Sequence, residues 1–264
     1  MMAEENKELN TNVMVVEEMA DKLESASGGE EADIDIDVLK EMAEKGLMYG
    51  HKKTRTNPKF RTYIFTTRNG IEIIDLTKTF KAIDSAADFL NKQLKEKKMV
   101  LLVGIQPASW EALENFSKKF SFPLITNKWI GGLITNYKNL SQRIEYFKKI
   151  QSGMEKGEFD KYTKKERVMI NKNLSKMKEK FEGVKNLTKI PDVLFVVDAS
   201  LKNHVTAIKE ARNMKIPVVA IIDSDDNPEI IAYPIPANDH SKMSIDWIIN
   251  RIDQQLITND QQQN

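Results

Sequence analysis

Cysteine is absent from the chain. That excludes a disulfide framework, a thiolate zinc site and a cysteine nucleophile, and it fits a reducing compartment. No apolar run approaches the roughly 18 residues that span a bilayer, and no basic-then-apolar signal pattern opens the sequence, so a soluble cytoplasmic protein is expected. The phosphate-loop pattern, Gly-x-Gly-x-x-Gly, Gly-x-Ser-x-Gly and His-Glu-x-x-His are all missing, which removes the common nucleotide, hydrolase and zinc-protease signatures. Net charge is also scarce, at +1.

That near-neutral total conceals segregation. Residues 1–46 carry a net −10, residues 47–190 a net +16 and residues 191–264 a net −5. A middle section this basic is the footprint of a protein that meets a polyanion, although solvated lysine-rich helix faces account for part of the excess. At 264 residues the chain is long enough for one large or two small domains with a sizeable core.

Residues 1–36 read as an acidic arm of disorder-favouring composition, with a short amphipathic helix within Val13 to Leu23 and no part in the core. Asp37 to Lys45 reads as a helix stopped by Gly46. Lys52, Lys53, Arg55, Lys59 and Arg61 then crowd a polar stretch with Pro58 and Phe60, which predicts a loop able to grip phosphates and stack on a base or sugar. Arg68-Asn69-Gly70 between two β-rich runs predicts a hairpin. A helix over Thr77 to Lys97 precedes the apolar strand Met99 to Val103, a helix over Ala108 to Phe120, and the strand Phe122 to Thr126. After a long excursion come the strand Val193 to Val197, a helix over Lys202 to Met214, the strands Val218 to Ile222 and Ile230 to Ile235, and a helix from Ser241 to Leu256. Continuous apolar strands alternating with helices predict a mainly parallel sheet covered on both faces. The excursion, Tyr137 to Val184, carries two narrow apolar stripes, and Thr163-Lys164-Lys165-Glu166 has capping-box spacing. It predicts an antiparallel helical hairpin of coiled-coil type. The expected division is an arm of 1–36, a sheet domain of 37–136 and 185–257, a hairpin of 137–184 and a loose polar tail of 258–264.

Two stretches have residue types suited to a site. In 127–136, Lys128 and Trp129 offer a cation and a flat aromatic face beside Gly131 and Gly132, which permit close approach of another chain or a phosphate. The bland alternative is a strand-to-helix turn with a tryptophan anchored in the core. Asp198, Asp223, Asp225 and Asp226 fall at predicted strand ends, the ligand-facing edge of such a sheet. They suit a structural divalent cation near Asp198, Asp223 and His51, or a Mg²⁺-dependent enzyme using Asp198 and Asp223. Aspartate also commonly caps strand ends and turns, and a lone histidine is more often structural than a ligand. Trp110 and Trp247 read as core or partner-packing residues.

Asn127-Lys128-Trp129-Ile130-Gly131-Gly132-Leu133-Ile134-Thr135-Asn136 resembles a signature of the second small-subunit ribosomal protein family of bacteria. Further segments are similar to that family in the same order: Gly46 to His51, Asn57-Pro58-Lys59 with Tyr63-Ile64-Phe65, Arg68 to Leu76, Thr163 to Glu166, Pro191 to Asp198, Ala207 to Ala211, Ile216-Pro217-Val218 and Ile235 to Asp239. The resemblance implies a flavodoxin-like α/β fold with an inserted helical hairpin, a structural role without catalysis, and a place in the cytoplasmic ribosome. Its implied partners are small-subunit rRNA and other small-subunit proteins, including the large mRNA-capturing one, with no membrane, small-molecule substrate or required cofactor. The residues expected to contact RNA are His51, Lys52, Lys53, Arg55, Asn57, Lys59, Arg61, Arg68, Lys128, Trp129, Gly131, Gly132, Asn136 and Lys138. Against the family pattern, Gly104-Ile105-Gln106-Pro107 replaces a Gly-Thr-basic-basic run, Ser200 replaces an acidic residue, and the acidic arm is long. A free regulatory RNA-binding module is the remaining alternative.

Overall fold

The computed structural model describes residues 15–19, 34–159 and 161–261, with side chains described as far as Leu256. Its centre is a five-stranded parallel sheet of β4 (Val100–Val103), β5 (Leu124–Ile125), β6 (Val193–Val197), β7 (Val218–Ile222) and β8 (Tyr233–Pro236), in the order β5-β4-β6-β7-β8. Every residue of β4, β6 and β7 is buried. Polar side chains would have no partner there, which is why these runs are continuously apolar rather than alternating. The order is that of flavodoxin-like sheets, with the sequence of strand addition switching sides between β4 and β6.

Alternation along the strands divides the core into two layers. Val100, Leu102, Phe195, Val219, Ile221 and Ile235 pack with α1 (Ile36–Glu44), α2 (Leu76–Lys95), α3 (Pro107–Phe120) and α7 (Lys242–Gln261). Leu101, Val103, Leu194, Val196, Val218 and Ala220 pack on the other face with α6 (Lys202–Asn213), the 127–136 turn and the root of a helical hairpin. Each fully buried aliphatic side chain contributes about 1.5–3 kcal/mol. The hairpin pairs α4 (Tyr137–Glu155) with α5 (Lys164–Phe181). The expected capping box is present: Glu166 N–H donates to Thr163 Oγ1 and Thr163 N–H to the Glu166 carboxylate.

Three expectations need correction. The stretch after Gly46 is not wholly loop: β1 (Tyr49–Lys52) pairs antiparallel with β3 (Ile71–Ile74), and β2 (Ile64–Arg68) flanks β3 on its other side. The remainder forms 3-10 turns over Lys53–Arg55 and Pro58–Tyr63. Local composition cannot reveal a strand whose partner lies twenty residues away. In the arm, Val15 to Met19 is helical, and Val15, Val16 and Met19 are buried in the larger core layer. Three residues of the supposed appendage are therefore core, while 1–14 and 20–33 lie outside the described residues. At the other end, α7 runs to Gln261, into the expected loose tail, whose last three positions lie outside the described residues.

Candidate functional site

Gly50 admits β1 to the acidic turn that follows β7. A Cβ there would lie 2.9 Å from Ser224 Oγ and 3.2 Å from Asp223 Oδ1. His51 N–H donates to Ser224 Oγ at 2.7 Å, and Asn57 N–H to Ser224 O at 2.8 Å. These bonds clamp the start and the middle of the basic stretch to one turn. Its cations Lys52, Lys53, Arg55, Lys59 and Arg61 are all exposed. Lys59 pairs with Glu229, also exposed, whereas among the described residues the other four make no ion pair. The expected stacking ring is not available: Phe60 is fully buried in the second core layer. The Asn57 side chain is engaged as a cap, accepting from Lys59 N–H at 3.0 Å. Arg68 is held by Glu18 of the arm rather than free for a phosphate.

The 127–136 turn is organised around one buried carboxylate. Glu210, on α6, accepts at Oε1 from the Trp129 indole at 2.9 Å and from Gly132 N–H at 2.8 Å. At Oε2 it accepts from Ile134 N–H, Thr135 N–H and the Thr135 hydroxyl at 3.2–3.3 Å. Burial pushes the Glu210 carboxyl up, but the bonds from Trp129, Gly132, Thr135 and Ile134 outweigh it and leave its pKa below the ordinary value. Trp129 is only 4% exposed and packs in the second core layer, so its face is not a stacking platform. The bland alternative holds for that ring. Gly132 has φ +85°, a conformation that favours glycine, and a Cβ on Gly131 would meet nothing within 4 Å. Lys128, Gly131, Asn136 and Lys138 are exposed.

Phe60, Trp129, Leu133, Leu140, Phe147 and Phe181 belong to one apolar layer. The basic stretch, the turn and the hairpin are therefore rooted on the same face of the sheet. Spacing along the chain gave no sign of that juxtaposition.

The carboxyl edge of the sheet carries the acidic group, in two clusters rather than one. Asp198, Asp226 and Asp239 form the first, and His51, Asp223 and His240 the second, each with its ligating atoms within 4.8 Å of one another. His51 thus joins Asp223, at 2.7 Å, but is not grouped with Asp198 as the sequence suggested. Asp198 Oδ1 accepts from Ser200 N–H and Oγ at 2.7 Å, and its other oxygen accepts from the Gln106 amide. The two departures from the family pattern thus turn inward onto one carboxylate. Burial, together with Asp239, Asp198 and Asp225, pushes Asp226 up to about 9. Asp239 rises to about 7, because burial and the Asp198 and Asp223 charges outweigh its bond to His240. That same bond raises His240 to about 9. Asp239 Oδ2 is buried with no hydrogen-bond partner among the described residues. Such a donor set of carboxylates and imidazoles fits a divalent cation.

His204 staples the switch point. Ile105 N–H donates to its Nε2 at 3.2 Å, so Nδ1 carries the proton and donates to Asp198 O at 2.5 Å. Burial lowers its pKa and keeps the ring neutral. Asp239 and His240 were missed as site residues, although Asp239 follows β8 as Asp198 follows β6 and Asp223 follows β7. Glu210 left no such signal, because a lone glutamate on a helix looks like a solvated one.

The sequence matches the family described as Ribosomal protein S2 across residues 42–258. It is similar to the small ribosomal subunit protein uS2 of Petrotoga mobilis, with 39% identity over 83% of this chain and 75% of the relative. The uS2 protein of Dictyoglomus turgidum is 38% identical over 81% of this chain and 87% of its own length. That of Dehalococcoides mccartyi is 35% identical over 83% and 89%. The chain belongs to the ribosomal protein S2 family, whose members are structural constituents of the small ribosomal subunit and not enzymes.

Proposed function

We propose that this chain is built into the small ribosomal subunit by the sheet face that roots its basic stretch, its 127–138 turn and its hairpin. These elements meet rRNA through phosphate and shape contacts, while the carboxyl edge of the sheet meets protein. The common root of three cation-bearing elements in one apolar layer carries this reading, since it presents Lys52, Lys53, Arg55, Arg61, Lys128 and Lys138 from a single rigid support. Contacts of that kind position a protein on folded RNA without reading its bases.

At the carboxyl edge, Trp110 is 38% and Met243 53% exposed, beside the Lys242–Glu111 pair that links the starts of α7 and α3. Exposed apolar side chains over a layer of buried carboxylates, away from the exposed cations of the other face, suit a protein neighbour better than RNA. We assign that edge to another small-subunit protein, the large mRNA-capturing one among them. A structural divalent cation near Asp198, Asp223 and His51 is part of the same proposal. Its support is the unpartnered Asp239 Oδ2 and the two neighbouring clusters, His51 with Asp223 and His240, and Asp198 with Asp226 and Asp239.

Reconstitution tests the main reading. Purified protein added to small subunits stripped of their S2 protein should cosediment stoichiometrically, and RNA cross-links should fall in 52–61 and 127–138. A pool that stays at the top of the gradient, or cross-links confined to the carboxyl edge, would overturn it.

A further inference from the structure

A carboxylate has the wrong sign for the inside of an RNA-binding element, yet Glu210 lies at the centre of the 127–136 turn, 8% exposed. Five donors converge on its two oxygens, and one of them is the N–H of Gly132. An ionised carboxylate is purely an acceptor with about four lone-pair directions, so this constellation saturates it. The anion is neutralised by oriented N–H dipoles rather than by a cation, leaving Lys128 and Lys138 unpaired among the described residues and directed by the turn that Glu210 shapes. Apolar packing of Trp129, Leu133 and Ile134 fixes where the turn sits. It does not fix the directions of the backbone N–H groups, which the carboxylate does.

We propose that Glu210 is the positioning residue of this element: by gathering the donors of residues 129 to 135 it sets, before RNA arrives, the shape in which Lys128 and Lys138 meet phosphates. The proposal rests on 127–138 being an RNA-facing surface. Preorganisation of this kind acts by removing the ordering cost from the binding step. Glu210→Gln keeps the size of the side chain but turns an NH₂ toward at least one pair of donors, so the turn loses acceptors while every lysine stays in place.

The test compares wild type, Glu210→Gln and a Lys128→Gln/Lys138→Gln double variant, using small subunits stripped of their S2 protein as the binding probe. Glu210→Gln should keep cooperative unfolding, shift the Trp129 indole N–H resonance, and speed amide exchange at Gly132, Ile134 and Thr135. It should bind about tenfold more weakly, equivalent to ordering roughly one residue's backbone on binding, with an unchanged salt slope. The double lysine variant should instead flatten the slope of log K against log salt by about 1.4–1.8. Unchanged affinity in Glu210→Gln alongside weakened binding in the lysine variant overturns the positioning role and leaves the interface standing. Unchanged affinity in both means the turn does not face RNA, which overturns the interface reading and this proposal together. Should Glu210→Gln not fold, Trp129→Phe removes one donor and spares the carboxylate; faster exchange without weaker binding in that variant is again the overturning result.

Discussion

Nη2 of Arg68 sits 3.1 Å from both carboxylate oxygens of Glu18, joining the acidic arm to the end of β2. The pair is partly exposed and contributes at most about 1 kcal/mol. The buried side chains beside it matter more. Met19→Ala should cost about 2–5 kcal/mol through the cavity it leaves, and Val15 and Val16 add to what a truncation loses. Removal of residues 1–19 should therefore lower the thermal midpoint by several degrees, whereas Glu18→Gln should barely move it and should release Arg68. An unchanged melting curve for the truncated protein would show that the arm is not part of the core.

Gly183 lies against the carbonyl oxygen of Leu124, where any Cβ would collide with backbone. This is where the hairpin returns onto the edge strand β5. Gly183→Ala should shift the hairpin root and cost about 1–3 kcal/mol, as overpacking does. Leu140, Ile144, Phe147, Phe181 and Val184 belong to the sheet's own core layer, so a cut at 140 and 184 should remove part of that layer. Deleting 149–179 with a short connecting turn should leave a cooperatively folded sheet domain that binds subunits weakly. Deleting 140–184 should unfold it. Circular dichroism melts of both deletions decide, and similar behaviour in the two would contradict the shared root.

Much of this architecture could be read directly from the chain. The runs Val193–Val197 and Val218–Ile222 are too apolar to be anything but buried parallel strands, and Thr163 with Glu166 marks a helix start by local chemistry alone. Legibility ended where non-local pairing decided the outcome. Tyr49–Lys52 became a strand because β3 was there to pair with it. Trp129 and Phe60, both plausible stacking rings, are buried because α6 and the sheet supply apolar surface that no spacing rule reveals. Asp239 completed the acidic group from a third strand end, and Arg68 was claimed by an arm whose composition alone looked disordered.

The exposed cations Lys52, Lys53, Arg55 and Arg61 lack ion-pair partners among the described residues, and Lys59 shares Glu229. Each phosphate contact contributes a slope of about −0.7 to −0.9 to log K against log salt. Replacing all five with glutamine should weaken subunit binding and flatten the slope by about three units if four are engaged. Their side chains are solvated, so the melting temperature should shift little. Lower thermal stability with an unchanged slope would identify an ordinary charged surface instead.

The carboxyl edge should make stability fall as pH rises. Asp226 and Asp239, at about 9 and about 7, hold protons in the folded state that they release in the unfolded chain near an ordinary aspartate value of about 4. The folded state therefore binds more protons between those values, and its stability declines with pH across them. His240, raised to about 9, acts in the same direction. Its contribution is complete below an unfolded value of about 6.5 and is lost as pH rises through 9. Melting temperatures in chelator should thus drop between pH 6 and pH 9. A divalent cation held by these carboxylates competes with the same protons, so the stabilisation it gives should be larger at pH 8.5 than at pH 6. Asp226→Asn removes one titrating group and one ligand at once. It should flatten the pH dependence in chelator and reduce the cation-induced gain. A melting temperature that climbs with pH in chelator, or a cation effect insensitive to Asp226→Asn, would place the binding of any metal elsewhere.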